Sequence, residues 1–301
     1  MKKFSYATFL LIVAAITINA RQTGFPKITG PYLGQKPPGM KAEVFAPGTI
    51  SLPGSTEWSS CFSPDGNEFY FYRVTRVSDK PVIKIFGMKQ VDGIWTAPEE
   101  AKFASGYPGS QPHVTLDNMR LYFGWHRPVP PGETSYMGDI GIWMTLRTET
   151  GWSEPTYAGQ GMFVSSGNDG RIYTTDMSDR TTSGKTYLAR VKIENERFAG
   201  FERLQIEPEF AEGPAHPSIA PDGSYILFDV AGGSHMFVSF KQEDGTWGRA
   251  IDLTDHGFEQ QAGGATITPD GKYLFFHLNG DLWWVDIKVI EKLKPKKLKN
   301  K

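Results

Sequence analysis

The chain has 301 residues, a formal net charge of −1 and one cysteine. A near-neutral charge speaks against a nucleic-acid partner, which needs a basic surface, and a lone cysteine excludes an intrachain disulfide. Aromatics make up 13% of the chain beside 33 Gly and 21 Pro; strand formers punctuated by turn formers point to an all-β fold of many short strands.

Residues 1–20 read as a secretory signal. Lys2 and Lys3 form a basic start, an apolar stretch runs from about Phe9 to Ile18, and Ala20 offers a small residue for cleavage. The apolar run is shorter than the roughly 20 residues a bilayer span requires. A periplasmic or secreted protein with no stable membrane span after cleavage is expected. A lead segment, 21–40, follows.

From residue 41 a unit repeats. The segments are FSPDGNEFYFYR from Phe62, VTLDNMRLYFGW from Val114, SGNDGRIYTTDM from Ser166, IAPDGSYILFDV from Ile219 and ITPDGKYLFFHL from Ile267. Their turn aspartates, Asp65, Asp117, Asp169, Asp222 and Asp270, lie 52, 52, 53 and 48 residues apart, the length of a four-stranded propeller blade. Three residues before each aspartate stand Phe62, Val114, Ser166, Ile219 and Ile267; six after it stand Phe71, Phe123, Thr175, Phe228 and Phe276. Each copy reads as a hairpin through a tight turn that favours positive φ. The third copy is the most degenerate, with Ser166 and Thr175 at apolar positions.

A second hairpin follows in units one to four, its outer strand opening on Trp95, Trp152, Phe198 or Trp247. The fifth unit ends in DLWWVDIKVI from Asp281 and passes into the basic tail 291–301 without a fourth strand. KAEVFAPGTISL from Lys41 precedes the first unit and can supply it, which removes both sheet edges. The expected fold is a five-bladed β-propeller of four-stranded antiparallel blades, closed by an N-terminal strand that completes the last blade. A single domain spans 41–290, with blades at about 53–105, 106–158, 159–207, 208–256, and 257–290 plus 41–52.

These segments resemble the WD40-like repeats of the TolB-type propeller superfamily, whose mark is a strand, Ser-Pro-Asp-Gly, then an aromatic strand. The resemblance covers about Lys41 to Ile290. It implies the propeller fold and leaves function open, since related propellers include docking modules, peptidase accessory domains and polysaccharide lyases.

Propeller geometry nominates site positions where inner strands begin and second strands end, at the channel mouth. The ligand-binding candidates there are Glu57, Trp58, Arg73, Gln111, His113, Trp125, His126, Arg127, Asp176, Glu212, His216, Asp229 and His277, with Tyr107, Gln260 and Gln261 beside them. Asp176, Asp229 and His277 each stand seven residues past a turn aspartate. Such a rim suits an anionic or hydroxyl-rich ligand, with Trp58 and Trp125 as aromatic platforms. A carboxylate pair at about 5 Å or 6.5–9.5 Å suits glycoside cleavage; a histidine with an arginine suits β-elimination on a uronic acid.

Solvated polar rims are equally the rule for propeller loops. No Gly-x-Ser-x-Gly, phosphate-binding loop, His-Glu-x-x-His or EF-hand pattern occurs. No close-spaced histidine pair suggests a metal, and no cofactor is expected. The turn aspartates read as structural, Cys61 as a small core residue, and the tail as solvated. The first expectation is a binding module for an envelope protein or a glycan. The alternative is a carbohydrate-active enzyme, lyase or hydrolase, working at the same mouth.

Overall fold

The computed structural model describes residues 24–133, 140–211, 213–230 and 235–295; the signal-like segment and Glu212 lie outside the described residues. Five antiparallel sheets follow one another along the chain. Their innermost strands, Thr56–Phe62, Gly109–Val114, Met162–Ser166, Pro214–Ile219 and Gly263–Ile267, neighbour one another in a closed ring. The chain is a five-bladed β-propeller. Among the described residues no helix is long and apolar enough to cross a membrane.

Closure runs through the N-terminal strand. Glu43 and Val44 pair with Trp284 and Trp283 on Asp281–Asp286 and complete the fifth blade. Phe45, wholly buried, then packs among Phe62, Phe69, Phe275 and Trp284, so one side chain joins the last blade to the first. The lead segment adds a second fastening that its sequence does not announce. Ile28–Thr29 pairs with Ile94–Trp95 at the rim of the first blade, and the Tyr32 hydroxyl donates to Asp270 in the turn of the fifth at 2.7 Å. Past the last strand, a helical turn at Lys288–Glu291 seats Ile290 in the core before the basic tail continues.

The repeat positions do what their pattern predicts. Phe71, Phe123, Thr175, Phe228 and Phe276 are all buried. The turn aspartates accept from backbone amides two residues on, as Asp65 does from Asn67, Asp117 from Met119 and Asp222 from Ser224. Outer strands differ from a continuous fourth strand in three blades; in the fourth blade, a Lys241–Trp247 bridge is separated from the short strand Ile251–Asp252. Pro98 and Pro155 each remove a ladder donor, so the outer edge breaks into Ile94–Trp95 and Glu99–Glu100 in the first blade, and into Gly151–Trp152 and Thr156–Gly159 in the second. The third blade has no proline there, and Arg197–Arg203 runs unbroken.

Candidate functional site at the channel mouth

Every innermost strand carries a β-bulge at the same register, six residues before its turn aspartate. The residue there has positive φ in all five blades: Ser59 (36°), Gln111 (55°), Phe163 (62°), His216 (53°) and Gly264 (60°). Four are not glycine, although left-handed backbone costs about 1–2 kcal/mol for a residue bearing a Cβ. Bulges of this kind bend a strand and redirect a side chain. Here they keep one scaffold constant around the channel while the side chain on it changes from blade to blade.

Three of the sequence candidates converge around a single indole. Trp58 lies 5.2 Å from the His216 ring and 5.1 Å from the His277 ring, centroid to centroid. Phe163 meets His216 edge-on at 5.3 Å, and Tyr72 stands 6.3 Å from Trp58. The indole fits because the neighbouring blade has glycine: a Cβ on Gly264 would lie 2.6 Å from the Trp58 ring.

Both histidines have a fixed orientation. His216 Nδ1 sits 2.9 and 3.0 Å from the two oxygens of Asp229. That carboxylate, 2% exposed, also accepts the Gly264 amide at 2.8 Å. His277 Nδ1 lies 2.9 Å from the Glu57 carbonyl, which can only accept, so Nδ1 carries the proton and Nε2 is the basic nitrogen. Burial holds the His277 imidazole below its ordinary pKa, opposed by that carbonyl. Burial and then the charge of Asp229 push the Tyr72 hydroxyl up. Among the described residues only the indole nitrogens of Trp143 and Trp284 are buried without a hydrogen bond. The Nε2 atoms of His216 and His277, the Trp58 Nε1 and the Tyr72 hydroxyl make no hydrogen bond to any described residue and are not among those buried orphans. Gln111 stands at the same level, its Oε1 accepting from the Phe163 amide at 3.1 Å.

The degenerate third blade now has a physical explanation. Thr175 Oγ1 accepts the His216 amide at 3.0 Å, and Ser166 Oγ bonds His113 Nε2 at 2.8 Å. The two polar departures from the repeat each hold a histidine of the channel.

Other candidates lie elsewhere. Glu57 and Arg73 form a buried ion pair at 2.6 Å behind the mouth, with Arg73 set beside Phe71 and Phe86 and donating to the Ile50 carbonyl. Asp176 has the register of Asp229 but is engaged by Arg203 at 2.8 Å and by the Ser178 amide. His113 lies deeper, where the channel narrows to a cavity of about 20 Å³ lined by one residue per blade at its level: Cys61, His113, Ser165, Ser218 and Thr266. Burial lowers His113 to about 4 and raises the Cys61 thiol to about 12, so both are neutral near pH 7. Trp125, His126 and Arg127 form a separate cluster on the second blade. Gln260 and Gln261 are exposed in the loop leading to the fifth blade.

Sequence reasoning missed Tyr72 and Phe163, although both follow from register: Tyr72 stands seven residues past Asp65, and Phe163 occupies the bulge. It also missed a cavity of about 920 Å³ between blades three and four. Its charged lining is paired, Lys185 with Glu209 and Arg249 with Glu207 within it, and Arg203 with Asp176 and Asp179 beside it. Among the described residues no three His, Cys, Asp or Glu gather to hold a metal ion.

No protein-family model matches the chain, and comparison with curated proteins finds no match. Among solved structures it is similar to the periplasmic gluconolactonase PpgL of Pseudomonas aeruginosa, at 15% identity and a TM-score of 0.43, over 73% of this chain and 64% of that one. It is similar to the gluconolactonase XC5397 of Xanthomonas campestris at 8% identity and a TM-score of 0.45, over 86% and 94%. It is also similar to the calcium-binding protein regucalcin of Agrobacterium tumefaciens at 13% and 0.43, over 83% and 95%. The chain thus spans less than two thirds of the first of these. Likeness at this level carries no argument about activity; the propeller assignment stands on the strand pairing.

Proposed function

We propose that this chain is an exported, TolB-type propeller that binds a hydroxyl-rich ligand, the end of a glycan, at the channel mouth. One observation supports it above all: polar atoms without a hydrogen-bond partner among the described residues, on Trp58, Tyr72, His216 and His277, converge between aromatic walls. A saccharide hydroxyl both donates and accepts, and this set offers imidazole acceptors beside indole and phenol donors. Export rests on the basic, then apolar N-terminus.

The test is a panel of neutral and acidic oligosaccharides scored by calorimetry for binding and by product analysis for cleavage. The expected result is binding of at least one saccharide, weakened about tenfold or more in His216→Ala and in Tyr72→Phe. Binding that both variants leave unchanged, or a panel without any binder, overturns the reading.

A second reading is favoured by one contact, the Asp229–His216 pair. A buried carboxylate on Nδ1 presents Nε2 as a general base and stabilises the imidazolium that forms. The mouth then belongs to a carbohydrate-active enzyme. Cleavage by the wild-type chain that Asp229→Asn abolishes, with binding retained, supports this reading; binding without cleavage across the panel removes it.

A further inference from the structure

Arg127 begins the loop after the second strand of the second blade. Its guanidinium carbon lies 5.2 Å from the centre of the Trp125 ring and 5.0 Å from that of Trp143. The two indoles are themselves buried and nearly perpendicular, 87° at 5.2 Å. A cation set against two π faces is held by the ring quadrupoles. Arg127 is exposed, and among the described residues its side chain has neither a hydrogen-bond partner nor a carboxylate in ion-pair range. Glu133, the one acid in the described part of that loop, is taken by Arg197 at 2.6 Å.

The surroundings are fixed as well. The Trp125 indole N–H donates to the Tyr107 carbonyl at 3.3 Å, and the His126 amide to the Pro108 carbonyl at 2.9 Å. These bonds tie the loop before the blade to the loop that carries Arg127. They place the Tyr107 ring, 45% exposed, edge-on to Trp125 at 5.7 Å. An exposed aromatic ring and a guanidinium with no partner among the described residues therefore adjoin the same indole. The indole N–H of Trp143 is buried without a partner among the described residues.

We propose that Tyr107 and Arg127 form a second binding site, distinct from the Trp58 mouth, for an acidic saccharide. The guanidinium fork receives the carboxylate in two parallel N–H···O bonds, and the sugar ring lies against the phenol ring of Tyr107. Lysine cannot present that fork. A phosphorylated sugar offers the same oxyanion from another source, so the experiment contains both.

The experiment titrates the full chain, by calorimetry and tryptophan emission, with trigalacturonate, galactotriose and glucose 6-phosphate. Trigalacturonate is expected to bind and change the emission of the two indoles, to weaken as salt rises, and to exceed galactotriose in affinity. Arg127→Met, which keeps an alkyl chain over the indoles, is expected to weaken it about tenfold or more, and Arg127→Lys to restore only part. Tyr107→Ala reduces affinity without removing the charge preference. His216→Ala at the mouth leaves this binding intact, which separates this site from the mouth reading. Preferential binding of glucose 6-phosphate, equal affinity for galactotriose, absence of binding, or loss through His216→Ala but not Arg127→Met overturns the proposal. Thermal unfolding of each variant confirms that loss of binding is not loss of fold.

Discussion

Replacing Glu57 by alanine removes the only carboxylate paired with Arg73 among the described residues. Glu57 is 0% exposed and Arg73 9%, and they meet at 2.6 Å. Ser55 donates a further hydrogen bond to the same carboxylate at 2.5 Å. Breaking a buried pair from one side leaves the other charge without compensation, at a cost of about 3–5 kcal/mol. A domain of this size loses about 2 °C of melting temperature per kcal/mol, so a fall of about 6–10 °C is expected by calorimetry. Glu57→Gln keeps the acceptor oxygen and should lose less. In Glu57→Leu/Arg73→Met both charges disappear, and the loss should fall well short of the two single losses combined. A drop under about 3 °C for Glu57→Ala, or strict additivity in the double variant, would refute the assignment of this pair to the scaffold.

Gly264→Ala places a Cβ 2.6 Å from the Trp58 ring at a φ of 60°; backbone strain and overpacking together predict a loss of about 2–4 kcal/mol in denaturant unfolding. An unchanged midpoint would mean that the indole does not fill that space. Phe45→Ala empties the seam between the first and last blades and should cost about 3–5 kcal/mol, with limited proteolysis releasing the N-terminal segment first. Burial holds His113 at about 4 against an ordinary 6.5, so the unfolded chain binds the extra proton between those values. Stability is full above pH 6.5 and declines, by up to about 3 kcal/mol, as pH falls towards 4; His113→Gln should flatten that slope. Despite burial, hydrogen bonds from Thr268, Tyr32 and Lys272 hold the Asp270 carboxyl below its usual range. Its contribution to closure is present above about pH 4 and fades as pH falls through the lowered folded value. Tyr32→Phe should shrink this acid sensitivity in a pH series of melting curves.

The blade plan was legible because turn chemistry and strand alternation are local. Asp-Gly or Asp-Asn turns at a 48–53-residue period, each followed by a strand with an aromatic residue, locate one hairpin per blade. The unfilled last blade likewise reveals the closing strand. The site was legible only as a set of registers. Asp176 and Asp229 occupy equivalent positions, yet Arg203 from the same blade's outer strand engages the first, while His216 engages the second. Glu57 looks like a rim acid in the sequence, and becomes scaffold because Arg73 pairs with it directly across the hairpin.

The sequence by itself determined that this chain builds five similar blades and closes them with its own N-terminal strand, since both follow from repeat period and alternation along the chain. Tertiary structure decided which polar residues meet. Trp58, His216 and His277 come from three different blades, and Thr175 reaches His216 from the third blade to the fourth. Those contacts depend on how the ring brings bulged inner strands to face one another across a channel, a geometry that no single repeat contains.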